Sequence, residues 1–383
     1  MVFIMALVLN EEQQMLKESA KGFLTEHAPI SVLRAHRDAG SETGYSSLLW
    51  PQMVNMGWAA ILIPEEYGGL AFGHVGMAQI IEETGRTLTA SPLLSTAVLG
   101  VSAINLAGNE EQKSQLLSAI AGGELTTALA IDEGAHHCPA NIAMSAECNA
   151  GNYILNGVKR SVVDGSTADK LIVAARTSGE EGETDGITLF IVDRDTKGVV
   201  VERSVMVDGR NSAIISFNDV SVKGSDLLGE QDKGYAALSA TLDVGNTHLA
   251  AELLGIAQES FDRTLQYLKE RKQFGALIGS FQALQHRTAH WWSEVELCKS
   301  IVLKAAQTLD EGDAKSAALA SIAKAKLCEV AELATNEAIQ MHGGIGMTDE
   351  YEIGFFIKRA RPAQMLYGDY GFHADRFSMM NGY

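Results

Sequence analysis

The spacing of apolar residues along the chain changes period twice. From Asn10 the pattern is helical: Asn10-Glu11-Glu12-Gln13 reads as an N-cap with its capping-box partner. Leu16, Ala20, Phe23 and Leu24 follow on one helical stripe. Residues 50–58 predict another helix, broken by the turn-forming stretch Pro64-Glu65-Glu66-Tyr67-Gly68-Gly69. Helical runs near 76–84, 92–106 and 110–120 complete a first region, the last opening on a second box, Asn109 with Gln112. From about residue 126 the runs shorten and become β-branched, at 128–131, 153–155, 171–174, 187–192, 199–201 and 213–217. Turn residues separate them, and Asn156-Gly157 and Thr184-Asp185-Gly186 are expected to be such turns. After Gly229 the helical period returns over 234–270, 282–309, 314–340 and about 350–364. Long alanine-rich helices joined by short turns imply an antiparallel bundle. The expected organisation is therefore a helical domain over 1–125, a small β-barrel over 126–232 and a four-helix bundle over 233–383.

Composition narrows the class. With 46% apolar and 20% charged residues over 383 positions, the chain has ample core for several domains. A formal net charge of -18 argues against nucleic-acid binding and against attraction to anionic membranes. Cys138, Cys148, Cys298 and Cys328 are scattered with no CxxC pair, which fits a reducing compartment rather than a disulfide framework. The apolar stretch at residues 1–9 lacks a basic start and is too short to span a bilayer. A cytoplasmic protein without membrane insertion is the expectation.

The chemistry concentrates at one corner. Arg271-Lys272-Gln273-Phe274-Gly275, then Gly279-Ser280-Phe281-Gln282, interrupts the bundle pattern between two long helices. The glycines break the helix, so an arginine fork, an aromatic ring and an amide project together from a helix–helix corner. That set suits a ligand with a phosphate and a heteroaromatic ring. No GxGxxG or GxxxxGK[ST] occurs, so neither a Rossmann nor a P-loop site is expected. His136-His137-Cys138 does not make a metal site, because adjacent residues seldom converge on one ion, and no other metal cluster is evident.

Over its whole length the chain resembles the acyl-CoA dehydrogenase family. The matching residues include Gly57-Trp58, Ile63-Pro64-Glu65-Glu66-Tyr67-Gly68-Gly69, Asn156-Gly157-x-Lys159 and Leu227-Leu228-Gly229. Arg271-x-Gln273-Phe274-Gly275, Phe281-Gln282 and Gln340-x-His342-Gly343-Gly344-x-Gly346 continue the match. The resemblance implies the same domain order, bound FAD, α,β-dehydrogenation of an acyl-CoA thioester, and an electron-transfer flavoprotein as acceptor. It also implies a flavin spanning a subunit interface. Arg271, Phe274, Gln282, Gln340, His342, Gly343 and Gly344 are assigned by that match to cofactor binding. His342 either touches the cofactor or only closes its turn.

The departures from the family pattern fall elsewhere. Where many members carry Thr-Glu-Pro against the isoalloxazine, this chain has Ile131-Asp132-Glu133-Gly134. Ser161-Val162-Val163 stands in place of a Trp-x-Thr cradle, and Tyr367-Gly368-Asp369-Tyr370 in place of the base-bearing Tyr-Glu-Gly-Thr. The alternative base position of some relatives falls near Gly245 and Asn246, neither of which can serve. Asp369 is the catalytic candidate, one residue displaced, and is otherwise a turn or cap residue. Asp243 is a second candidate, and Glu252 is read rather as an internal ion-pair partner. This lopsided pattern resembles the small subunits of heteromeric acyl-CoA dehydrogenases acting on steroid side chains or dicarboxylic acyl groups. Homo- or hetero-oligomerisation is expected. A flavin-dependent monooxygenase of the same fold and a purely structural partner subunit remain alternatives.

Overall fold

The computed structural model describes residues 7–383, so most of the apolar N-terminal stretch lies outside the described residues. The chain runs from a helical domain through a β-sheet domain to a second helical domain. Contacts group these into two compact units, one holding the chain up to Leu33, His74–Thr89 and Asn246–Tyr383. The other holds Arg34–Gly73 and Ala90–Gly245.

In the first unit the helix Glu11–His27 starts at Asn10, whose side chain accepts from Gln13 N while Gln13 returns the bond. Ala20 and Leu24, from the predicted stripe, are its buried residues. The core of this unit is the helix Ser316–His342, packed against Gln282–Glu311, Ile353–Met365 and the terminal Tyr370–Met380 helix. Its buried face is rich in alanine (Ala320, Ala323, Ala325, Ala331, Ala334, Ala338), which lets neighbouring helices approach closely. The helix His74–Thr87 meets the long Gly234–Glu270 helix at a glycine contact: a Cβ on Gly255 would stand 1.9 Å from the Glu82 carbonyl. Glu252, on the long helix, forms a buried bidentate pair with Arg359 at 2.8 Å for both bonds, the ion-pair role expected of it.

The second unit contains the sheet. Strands β1 (Thr127–Ala130), β2 (Ser145–Asn149), β3 (Asn152–Val163), β4 (Lys170–Arg176), β5 (Ile187–Asp193), β6 (Val199–Val205), β7 (Asn211–Lys223) and β8 (Leu227–Leu228) run in the order β6-β7-β3-β2-β4-β5-β8. β1 lies parallel to β4. β4 and β5 are buried along nearly their whole length, matching their unbroken apolar runs. Asn156-Gly157 is not the expected turn. It lies inside β3 at a register shift, where a Cβ on Gly157 would stand 2.6 Å from Met144. The glycine serves close approach at a bulge. The hairpin turn is instead at Ala150-Gly151, both with positive φ (49° and 84°), between β2 and β3.

Among the described residues no helix is long and apolar enough to cross a membrane.

Candidate active site

The corner predicted at Arg271 is a small hairpin rather than a bare helix–helix turn. Lys272–Gln273 pairs antiparallel with Ala276–Leu277. Phe274 and Gly275 form its two-residue turn with φ of 54° and 78°. Positive φ at both central positions is the type I′ geometry that matches strand twist, and it favours Asn-Gly or Gly-Gly. A phenylalanine there is strained, yet it is 94% exposed, its ring lying edge-on to Phe281 at 6.4 Å between centroids. The base of the hairpin is locked by Leu268, Ile278 and Met341, a buried cluster flanked by Tyr267 and Leu284. That cluster ties the hairpin to the C-terminal end of Ser316–His342. The Arg271 and Gln340–Gly344 motifs, distant in sequence, are thereby brought together.

Arg271, Gln282, Gln340, Gly343 and Gly344 are all exposed at this end of the unit. Gly343 has φ 63° and ψ -141°, a conformation that in practice requires glycine, and a Cβ at 343 or 344 would meet nothing within 4 Å. The bare backbone is therefore not demanded by packing within the chain. Among the described residues no carboxylate pairs with Arg271. An unpaired guanidinium beside open glycine backbone fits the phosphate-bearing half of FAD. His342 is buried at 4% exposure and stacked on Tyr267 at 4.3 Å, with Nδ1 2.7 Å from the Ala338 carbonyl. Burial holds its imidazole below the usual histidine range, and its Nε2 has no partner. The ring closes the turn that presents the two glycines.

The loop at Tyr367-Gly368-Asp369 is built differently. Asp369 is the N-cap of Tyr370–Met380, its Oδ1 accepting from Phe372 N at 2.9 Å. The structure therefore gives it the cap role. Lys324, fully buried, donates to the carbonyls of Gln364, Leu366 and Gly368 at 3.0, 2.9 and 2.7 Å. Burial pushes this ammonium below the usual lysine range, while Cys328 and Asp369 act in the opposite direction. Asn246 Nδ2 and His373 Nε2 reach the Tyr367 carbonyl at 3.2 and 3.1 Å. The sequence reading gave Lys324 and His373 no role and took Asn246 only as a position unable to serve as a base. The available signal was a lysine inside the alanine-rich buried stripe of Ser316–His342.

In the second unit, Lys159 is fully buried and donates to Glu133 at 2.6 Å and to the Ile131 carbonyl at 2.9 Å. Burial lowers its pKa, and the Glu133 carboxylate opposes that shift. Glu133 also accepts from the backbone N–H of Ala143 and Met144. Asp132 is engaged with His137 at 2.9 Å. His137 thus has a carboxylate partner, and among the described residues no group of three or more His, Cys, Asp or Glu side chains is placed to hold a metal. Ser161 sits at φ 53° beside a register shift in β3, and Val163 offers no hydroxyl. The backbone irregularity is present, but the stacking ring and hydrogen-bond donor are not. These residues do not fit an isoalloxazine as the phosphate-side residues fit a phosphate. Asp243 is buried at 6% exposure near the end of this unit.

Sequence comparison places the chain in a class. It matches the N-terminal domain of acyl-CoA dehydrogenases over residues 10–124, the middle domain over 131–220 and the C-terminal domain over 232–377. The chain belongs to the acyl-CoA dehydrogenase family and is an FAD-dependent flavin oxidoreductase of that type. It is 34% identical over 360 residues to a probable acyl-CoA dehydrogenase, YngJ, of Bacillus subtilis, covering 92% of this chain and 93% of that one. A 3-(aryl)acrylate reductase of Clostridium sporogenes is 34% identical over 354 residues, covering 91% and 92%. The structure of butyryl-CoA dehydrogenase from Megasphaera elsdenii superposes with a TM-score of 0.91 at 27% identity, covering 98% of this chain and all of that one.

Proposed function

We propose that this chain is a subunit of a cytoplasmic acyl-CoA dehydrogenase that shares its flavin with a neighbouring homologue, in the manner of the small subunits of heteromeric members. The observation that carries this reading is a contrast within one unit. Arg271 stands unpaired beside open glycine backbone, whereas the loop at 367–369 offers only a carboxylate already used as a helix cap. In this reading Arg271 grips the pyrophosphate with its planar fork, and Gln282 and Gln340 address the adenosine half through their amides. Phe274 covers the heteroaromatic ring, and Gly343-Gly344 let the ligand meet the main chain. Held there, FAD would supply the hydride acceptor for the acyl β-carbon.

The neighbour then supplies the carboxylate that removes the α-proton and the ring-and-hydroxyl cradle this chain lacks at Ser161 and Val163. Asp369 serves as the cap and Asp243 as a helix-region carboxylate. An electron-transfer flavoprotein is the acceptor typical of the family, and the likeness to the small subunits points to bulky or dicarboxylic acyl groups as substrates. The same reading takes 1–125, 126–232 and 233–383 as the folding domains.

Co-purification with a base-carrying homologue tests the assignment. FAD per complex is measured for the parent and for Arg271→Gln. Loss of most of the FAD with the complex intact is the expected result. Undiminished FAD in the variant complex would remove Arg271 from the site and the shared-flavin reading with it.

A further inference from the structure

The loop at 367–369 is immobilised and filled as well as lacking a free carboxylate. The carbonyls of 364, 366, 367 and 368 are held by Lys324, Asn246 and His373, all of which are buried. Tyr367 and Gly368 have φ of 54° and 106°, so a side chain at 368 is disfavoured by conformation alone. Space disfavours it as well. A Cβ on Gly368 would stand 2.3 Å from Phe372 Cδ1 and 2.9 Å from His373 Nε2. The loop side of that contact cannot easily withdraw, so the half-buried Phe372 ring is what a side chain at 368 would have to displace. The loop is tied through its carbonyls, and the Phe372 backbone is fixed by the Asp369 cap at 2.9 Å. Its ring lies edge-on to the fully buried His373, 5.1 Å between centroids.

We propose that Phe372 is a plug: its ring fills the space that a base side chain at position 368 needs, so a carboxylate placed there becomes usable only when Phe372 is shortened as well. The inference rests on the reading that position 368 is where a base-carrying member holds its glutamate. It goes beyond that reading by naming the side chain that closes the place and the pins that keep it closed. The chemistry opened by the paired change needs no oxidant. The carboxylate at 368 takes the α-proton of an acyl thioester as the C–H bond breaks, the electron pair stays on the enolate, and a solvent-derived proton returns to carbon.

Two measurements on the full chain test this. The first is a thermal double-mutant cycle of Gly368→Ala and Phe372→Ala. Each single change lowers Tm, and the double variant is expected to melt at least about 2 °C above the sum of the separate losses, because the small side chain at 372 relieves the contact. Strictly additive losses overturn the plug. The second is deuterium exchange at the α-carbon of an acyl-CoA in D2O, with Gly368→Glu alone and with Gly368→Glu/Phe372→Ala. Exchange at least ten-fold faster in the double variant is expected, and equal, rapid exchange in both overturns the plug. A coupled cycle with no exchange in either variant overturns the placement of position 368 against the thioester, so the two failures are distinguishable.

Discussion

Phe274→Asn separates what the Arg271 hairpin does for the chain from what it does for an assembly. Phenylalanine in the left-handed region costs about 1 kcal/mol, whereas Asn-Gly is a favoured pair for this turn. Phe274 is 94% exposed, so the free chain forfeits little burial when its ring is removed. The edge contact with Phe281 is worth about 0.5 kcal/mol. The free chain should therefore hold its stability or gain up to about 0.5 kcal/mol, read as an unchanged or slightly raised urea midpoint. If the ring is covered by a neighbour and its flavin, full burial of a phenylalanine contributes about 1.5–3 kcal/mol there. Its loss should weaken FAD retention or assembly by about 10- to 150-fold. Flavin fluorescence on dilution and sedimentation of the assembled protein measure these quantities. A variant that destabilises the free chain by more than about 1 kcal/mol, with FAD retention and assembly unchanged, would mean that Phe274 serves the chain's own fold and no neighbour.

Two further predictions concern the first unit. His74 Nδ1 and His248 Nε2 lie 3.2 Å apart, and burial holds both pKa values below 6.5, with Asp310 opposing the shift at His74. The unfolded chain therefore takes up protons first as pH falls through about 6.5, and stability declines from there toward the depressed folded values. His248→Gln should flatten the urea midpoint between about pH 6.5 and 5, and an unaltered slope would exclude this pair as its source. Gly255→Ala should cost about 1–3 kcal/mol, because its Cβ would press on the Glu82 carbonyl of the crossing helix, and a variant with the parent's urea midpoint would contradict that contact.

The helical regions were legible because their signals are local. The capping boxes at Asn10 and Asn109 and the apolar spacing of the bundle need no knowledge of distant neighbours. β2 was missed because only Ala146 along it is buried, leaving no alternation to read. Asn156-Gly157 misled because the same dipeptide serves a hairpin turn or a bulge, and the choice depends on Met144 across the sheet. At the site, Arg271 and the double glycine could be read from residue type and motif. The roles of Lys159 and His373 could not, since their partners are distant in the chain, and Lys324 was marked only by its place among the buried alanines of its helix. The cap role of Asp369 was local and was among the readings the sequence offered.

Under the proposed function this chain completes a neighbour's flavin site and lacks a working base of its own. FAD per protomer and the visible spectrum of the chain purified alone test it directly, before and after anaerobic addition of several acyl-CoA esters. Substoichiometric or unresponsive flavin is expected, restored and bleached by substrate once a base-carrying homologue is co-expressed. Stoichiometric FAD that bleaches on acyl-CoA addition to the chain alone would contradict it.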